Sequence, residues 1–137
     1  MKTAWILLPL WLILLGCDEK PMVNVYHKEI LKTPPTCLAL QVVPSNPTVT
    51  KTLQKMYAFT PLCDYRLDVS FKEGIHCNST QNAASSALGH FPHSYLKMEI
   101  RKGFSLQYSY YIDLSETVSA NDVKKGFSKI NDDLQLF

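Results

Sequence analysis

Hydrophobic and polar residues alternate most regularly over two stretches near the end of this chain, residues 95–101 and 104–114. Alternation with a period of two is typical of a β-strand that buries one face. Lys102 and Gly103 separate the two stretches, and glycine accepts the positive φ angle of a tight turn at little cost. The pattern therefore predicts a β-hairpin whose buried face carries Leu96, Met98, Ile100, Phe104, Leu106, Tyr108, Tyr110, Ile112 and Leu114.

Two more strands are predicted upstream of the hairpin. Residues 65–71 alternate strictly, and residues 37–43 form an apolar run that ends at Pro44. After a turn at Gly74, residues 75–77 are predicted to begin a short return strand.

Helical spacing of apolar residues predicts two helices. Ser45, Asn46 and Pro47 form a helix start, since a capping side chain is followed by proline at the first helical position, and the apolar face continues to Phe59. Ser119 and Asp122 have the spacing of a capping box at the start of a second helix. Its apolar stripe consists of Val123, Phe127, Ile130 and Leu134.

This order of elements predicts an α+β fold, with a small antiparallel sheet and helices on one of its faces. The other face of the sheet carries polar residues and is open to water or to a partner. Tyr111 lies on that polar face, opposite Tyr108 and Tyr110. A tyrosine in such a setting can anchor a protein contact, so Tyr111 is predicted to contact a partner.

The first seventeen residues follow a different pattern. Lys2 precedes an unbroken apolar run from Ala4 to Leu15, which is too short to cross a bilayer but has the length of a signal-peptide core. The run ends in Leu14-Leu15-Gly16-Cys17, which resembles the lipobox of bacterial lipoproteins. The alternatives are an ordinary secreted protein cleaved nearby and an uncleaved anchor.

The resemblance implies that residues 1–16 are a signal peptide and that Cys17 becomes the lipidated first residue. Its sulfur would carry a diacylglycerol and its amine an acyl chain such as palmitate, and two or three chains hold a protein on a bilayer effectively permanently. Asp18 resembles the residue that retains enteric lipoproteins in the inner membrane. The expected location is therefore the periplasmic face of the inner membrane rather than the outer membrane.

Residues 17–36 contain three prolines and are predicted to be a tether, within which Val23 to Leu31 could add a short strand or helix. This leaves residues 37–137 as the globular domain. Cys37, Cys63 and Cys77 would remain as thiols in an oxidising compartment, where one disulfide is expected. A Cys63–Cys77 bond, closing a loop of about 15 residues, is favoured over a Cys37–Cys63 bond, which would join the first strand to the second.

Composition narrows the function classes. The formal net charge is only +2, so no nucleic-acid partner is predicted. The chain contains no Gly-x-Ser-x-Gly motif and no glycine-rich phosphate loop, and we predict no enzyme activity, metal or cofactor.

The sequence favours a membrane-tethered protein-binding module, acting in assembly or exclusion at the bacterial envelope. The alternative is a periplasmic lipoprotein that binds a small molecule, a cell-wall fragment or a metal.

Overall fold

The computed structural model of the protein describes residues 19–76 and 91–137, so Cys17 and Cys77 lie outside the described residues. Eight elements follow one another along these two ranges. They are β1 (Met22–Val25), α1 (Glu29–Lys32), β2 (Ala39–Val43), α2 (Pro47–Met56), β3 (Tyr65–Lys72), β4 (Ser94–Lys102), β5 (Ser105–Leu114) and α3 (Ala120–Leu134).

The five strands form one sheet in the order β1-β5-β4-β3-β2. The pairs β1–β5, β5–β4 and β4–β3 are antiparallel, whereas β2 and β3 are parallel. A parallel pair needs a crossover connection, and α2 supplies it here. The predicted α+β fold is confirmed, with one parallel pair in an otherwise antiparallel sheet.

The core lies between the helices and the inner face of the sheet. Residues from β3, β4 and β5 meet the predicted apolar stripe of α3, all four members of which are buried. Gly126 of α3 lies directly over the sheet, where Met98 and Tyr110 are paired across β4 and β5. The fully buried side chains on the sheet side include Leu67, Val69, Leu96, Met98, Ile100 and Tyr108.

Both predicted helix starts are confirmed at atomic detail. The Asn46 side chain accepts hydrogen bonds from the N–H groups of Thr48 and Val49, at 2.9 and 3.1 Å. Ser119 and Asp122 form a reciprocal capping box at the start of α3. Helix α2 ends at Met56 rather than at residue 59, because the backbone of Tyr57 is already extended.

Residues 22–36, predicted as part of the tether, belong to the folded domain, and the strand or helix left open for residues 23–31 is realised as both β1 and α1. Strand β1 pairs with β5, placing Val23 beside Tyr110 and Val25 beside Tyr108. Ile30 of α1 is buried in the core with only 2% of its surface exposed. Val23 and Val25, at alternate positions of β1, pack against the core along the edge of β5. Burial of these apolar side chains stabilises the pairing of β1 with β5.

The predicted inward positions at the start of β5 are also wrong. Ile100 pairs with Tyr108 but Arg101 pairs with Leu106, so a β-bulge adds one residue to β5 at this point. The extra residue shifts the alternation, and Leu106 lies opposite the outward position of Arg101. Phe104 lies in the turn and is fully exposed.

The structure joins Cys37 to Cys63, so the favoured pairing of Cys63 with Cys77 is wrong. Ala39 of β2 lies beside Arg66 of β3 in the parallel register, and the two cysteines stand just before these residues. The register therefore brings their Cα atoms to 5.9 Å, within the range a disulfide requires.

The predicted return strand at residues 75–77 is absent over its described part, residues 75 and 76. The Ile75 N–H donates a hydrogen bond to the carbonyl of His93 at 2.9 Å, but this single bond does not extend into a ladder. Cys77 lies outside the described residues.

Candidate functional site

The candidate site is the outer face of the sheet, defined as the face opposite the helices. Its central positions alternate with the buried residues of β3, β4 and β5. Within residues 19–76 and 91–137, the three helices pack on the other face. The outer face therefore presents side chains that the described helices do not cover.

Two stacked tyrosines lie on this face. The rings of Tyr95 and Tyr111 stack with their centroids 5.5 Å apart. The Tyr111 hydroxyl donates a hydrogen bond to Oδ1 of Asp113 at 2.7 Å. These two contacts fix the ring and its hydroxyl, so the tyrosine pair offers a rigid surface that need not be ordered on binding.

The environment of Tyr111 also fixes its protonation. Partial burial, followed by the hydrogen bond to Asp113 and the negative charge of that carboxylate, raises the pKa of Tyr111 to about 12. The phenol is therefore neutral throughout the physiological range. Tyr111 lies on the outer face as predicted, but it is half-buried by its neighbours rather than isolated.

An ion-pair network covers the centre of the same face. Nζ of Lys97 lies 3.2 Å from Glu99, and Arg101 lies 2.8 Å from Glu99 and 3.5 Å from Asp68. Arg66 completes the network through its own contact with Asp68. Three cations thus surround two carboxylates, and the network stays ordered because each carboxylate has two cationic partners.

Glu99 is the most enclosed member of the network, with 13% of its side chain exposed. Burial favours its neutral form, but hydrogen bonds from Arg101 and Lys97 outweigh this effect and lower the pKa of Glu99. The carboxylate therefore remains charged at neutral pH.

Apolar side chains flank the tyrosine pair. Met22 of β1 lies beside Tyr111 in the sheet and is 58% exposed. Val43, at the end of β2, is 54% exposed in the same row of the sheet. Tyrosine, methionine and arginine are enriched at protein–protein interfaces, so this composition suits a protein contact.

A second feature is a groove of about 580 Å³ along the free edge of β2. Leu40, Val42 and Phe59 form its apolar part, and Thr50 and Gln54 of α2 form a polar wall. Small-molecule sites commonly combine these two kinds of lining.

The described residues hold no group of three or more His, Cys, Asp or Glu side chains arranged to bind a metal ion. Across the same part of the chain, no helix has both the length and the apolar character needed to cross a membrane. Of the candidate residues named from the sequence, the structure describes Cys63 and Tyr111 and does not bring them together.

Sequence reasoning missed Tyr95 and the ion-pair network. Arg66, Asp68, Lys97, Glu99 and Arg101 all occupy outward positions of alternating strands, which is a visible signal. Their pairing depends on the β3–β4 register, which the pattern of either strand alone does not contain.

Comparison of the chain with protein-family models, with curated proteins and with solved structures found no match.

Proposed function

We propose that this protein is a membrane-tethered lipoprotein that binds another envelope protein through the outer face of its sheet. The observation that carries the binding part is the tyrosine pair, held rigidly beside an ordered ion-pair network on a face that the described helices leave uncovered. The lipobox-like sequence ending at Cys17 supports the tether. The periplasmic face of the inner membrane is the proposed location, and assembly or exclusion at the envelope is the proposed role.

The tether is tested by Cys17→Ser. Removal of the thiol removes the atom that would carry the diacylglycerol, so we expect an unprocessed or soluble protein. Membrane fractionation and intact mass would measure this, with Cys77→Ser as the matched control that retains the anchor. Normal processing and membrane retention of Cys17→Ser would exclude the lipoprotein.

The binding face is tested by Tyr111→Ala. Loss of the ring removes the stack on Tyr95 and the hydrogen bond to Asp113, and truncation of a hot-spot tyrosine costs about 2 kcal/mol, or roughly thirtyfold in affinity. Affinity purification after brief crosslinking, at native expression level, would compare it with wild type.

Lys124→Ala is the control for this experiment, because Lys124 is exposed on α3 and lies away from the outer face. We expect Lys124→Ala to keep every partner that the wild type keeps. If Tyr111→Ala also keeps all of them at wild-type yield, the outer face is not the binding surface.

The groove beside β2 supports a second candidate, a periplasmic ligand-binding lipoprotein. Its volume of about 580 Å³ lies within the range of small-molecule sites. Thermal unfolding with and without cell-wall fragments or metal salts would test it. A stabilising shift that Val42→Lys removes would favour this candidate, and no shift with any of these ligands would exclude it.

A further inference from the structure

The chain joins the domain before β1 begins. Oε1 of Glu19 accepts a hydrogen bond from the N–H of Ser115, at 2.6 Å, just after the end of β5. Glu19 and Pro21 also line a hollow with Leu114 and Ser115. The first described residue is thus already bound to one end of the sheet.

Only Asp18 separates Glu19 from Cys17. A fully extended chain covers about 3.5 Å per residue, so the Cα atoms of Cys17 and Glu19 can be at most roughly 7 Å apart. An acyl chain on Cys17 therefore has no long tether through which the domain could stand off the bilayer.

We propose that the anchor holds one particular end of the sheet, the anchor end, directly on the lipid headgroups. The anchor end is defined by Met22, Val43, Lys72, Ser94 and Leu114, which the strand pairings place at the same end. This inference rests on the proposed lipidation of Cys17.

Charge does not explain this contact. Lys20 and Lys72 are outnumbered at the anchor end by Glu19, Glu73 and Glu116, so its described residues include no surplus of cations to attract anionic lipids. The position is set by the anchor and by the Glu19–Ser115 contact.

The opposite end of the sheet is the distal end, and it carries Tyr26, Leu62 and Phe104. Leu62 and Phe104 are the most exposed large hydrophobic residues in the described part of the chain, at 96% and 102%. Phe104, in the turn before β5, precedes Tyr111, the neighbour of Met22, by seven residues, which is at most about 23 Å along the strand. If the domain could rotate freely on its anchor, the distal side chains would reach the lipid. When the anchor end is held on the headgroups, they face the aqueous compartment.

The orientation also restricts the partner of the outer face. Tyr111 lies beside Met22, so the tyrosine pair lies in the membrane-proximal half of the sheet. The partner must therefore extend close to the bilayer surface, as the aqueous part of a membrane protein does.

Single tryptophans can measure this orientation. Both natural tryptophans, Trp5 and Trp11, lie in the predicted signal peptide, so the processed chain has none. Met22→Trp and Phe104→Trp place a fluorophore at the anchor end and at the distal end, each at an exposed position. The processed, full-length proteins, with acylation verified by mass, would be reconstituted into phosphatidylethanolamine–phosphatidylglycerol vesicles in which a fraction of the lipids carries a nitroxide quencher on the headgroup.

We expect the Met22→Trp protein to lose most of its emission in vesicles with the headgroup quencher relative to vesicles without it, and the Phe104→Trp protein to lose almost none. The loss should not change with the phosphatidylglycerol fraction, because charge does not set the contact. Leu62→Trp, as a second distal probe, should behave like Phe104→Trp.

Quenching of either distal probe, or no quenching of the Met22→Trp protein, would overturn the proposed orientation. The mass measurement separates this result from failure of the proposed function, because a chain without acyl groups refutes the lipoprotein itself. Circular dichroism of each variant verifies that it retains the wild-type fold.

Discussion

Gly126 shows how one residue without a side chain fixes the distance between a helix and a sheet. A Cβ atom at this position would lie 3.0 Å from Cε1 of Tyr110 and 3.2 Å from Cε and Sδ of Met98. The methionine end is flexible, but the buried Tyr110 ring is rigid. Close packing of α3 on the sheet therefore depends on the absence of a side chain here.

We predict that Gly126→Val destabilises the protein by about 2–3 kcal/mol, because its branched side chain must displace the Tyr110 ring or lift α3. Gly126→Ala should lose less, since the gain in helix propensity of about 1 kcal/mol offsets part of the clash. Urea unfolding followed by circular dichroism would measure both. Equal stability of Gly126→Val and wild type would contradict the close approach.

At the scale of elements, the disulfide joins the starts of the only parallel pair of strands in the described sheet. Cys37 and Cys63 are 26 residues apart, and α2 lies between them. Loop entropy for this separation gives a stabilisation of about 3.5 kcal/mol. The bond thus constrains the whole β2–α2–β3 unit.

We predict that Cys37→Ser with Cys63→Ser lowers the free energy of unfolding by about 3–4 kcal/mol, measured by urea denaturation. Cys77→Ser should retain the disulfide and the stability of the wild type. The reverse pattern, loss with Cys77→Ser and no loss with Cys37→Ser, would support a Cys63–Cys77 bond instead. Mass after alkylation would identify the bonded cysteines directly.

Elements with a strong local pattern were predictable from the sequence. The strict alternation in β3 and β4, the Asn46 cap and the Ser119–Asp122 box all depend on neighbouring residues, and all are confirmed. The disulfide and the role of β1 depend on the pairing of distant segments, so the predicted disulfide was wrong and the conformation of residues 23–31 was left open. The bulge that moves Leu106 to an outward position arises in the pairing of β4 with β5, so the alternation within β5 could not reveal it.

At the scale of the molecule, the two faces of the sheet have opposite chemistry but share one set of strands. Along β5, Tyr108 and Tyr110 point into the core while Tyr111 lies on the outer face. The inner tyrosines are therefore part of the packing, and the outer one is available for contact. A change in the ionisation of the inner tyrosines acts on the stability of the whole domain.

Burial raises the pKa of Tyr108, with further contributions from its 2.7 Å hydrogen bond to Asp133 and from that carboxylate's charge. Burial, followed by the charge of Asp122, raises the pKa of Tyr110. A phenol whose pKa is higher in the folded state stabilises that state fully below its unfolded pKa of about 10. This stabilisation is lost as the pH rises from there toward the folded pKa.

We therefore predict that the free energy of unfolding is nearly constant around neutral pH and falls as the pH rises above about 10. Tyr108→Phe should be less stable than wild type by about 1 kcal/mol at neutral pH, because it loses the hydrogen bond to Asp133. Its stability should nevertheless fall less steeply in alkali, because one of the buried phenols that must ionise is gone. Urea unfolding across this pH range would measure both slopes, with Tyr26→Phe as an exposed control. Equal slopes for Tyr108→Phe and wild type would show that ionisation of Tyr108 is not coupled to unfolding, and that the alkaline limit of the fold is set elsewhere.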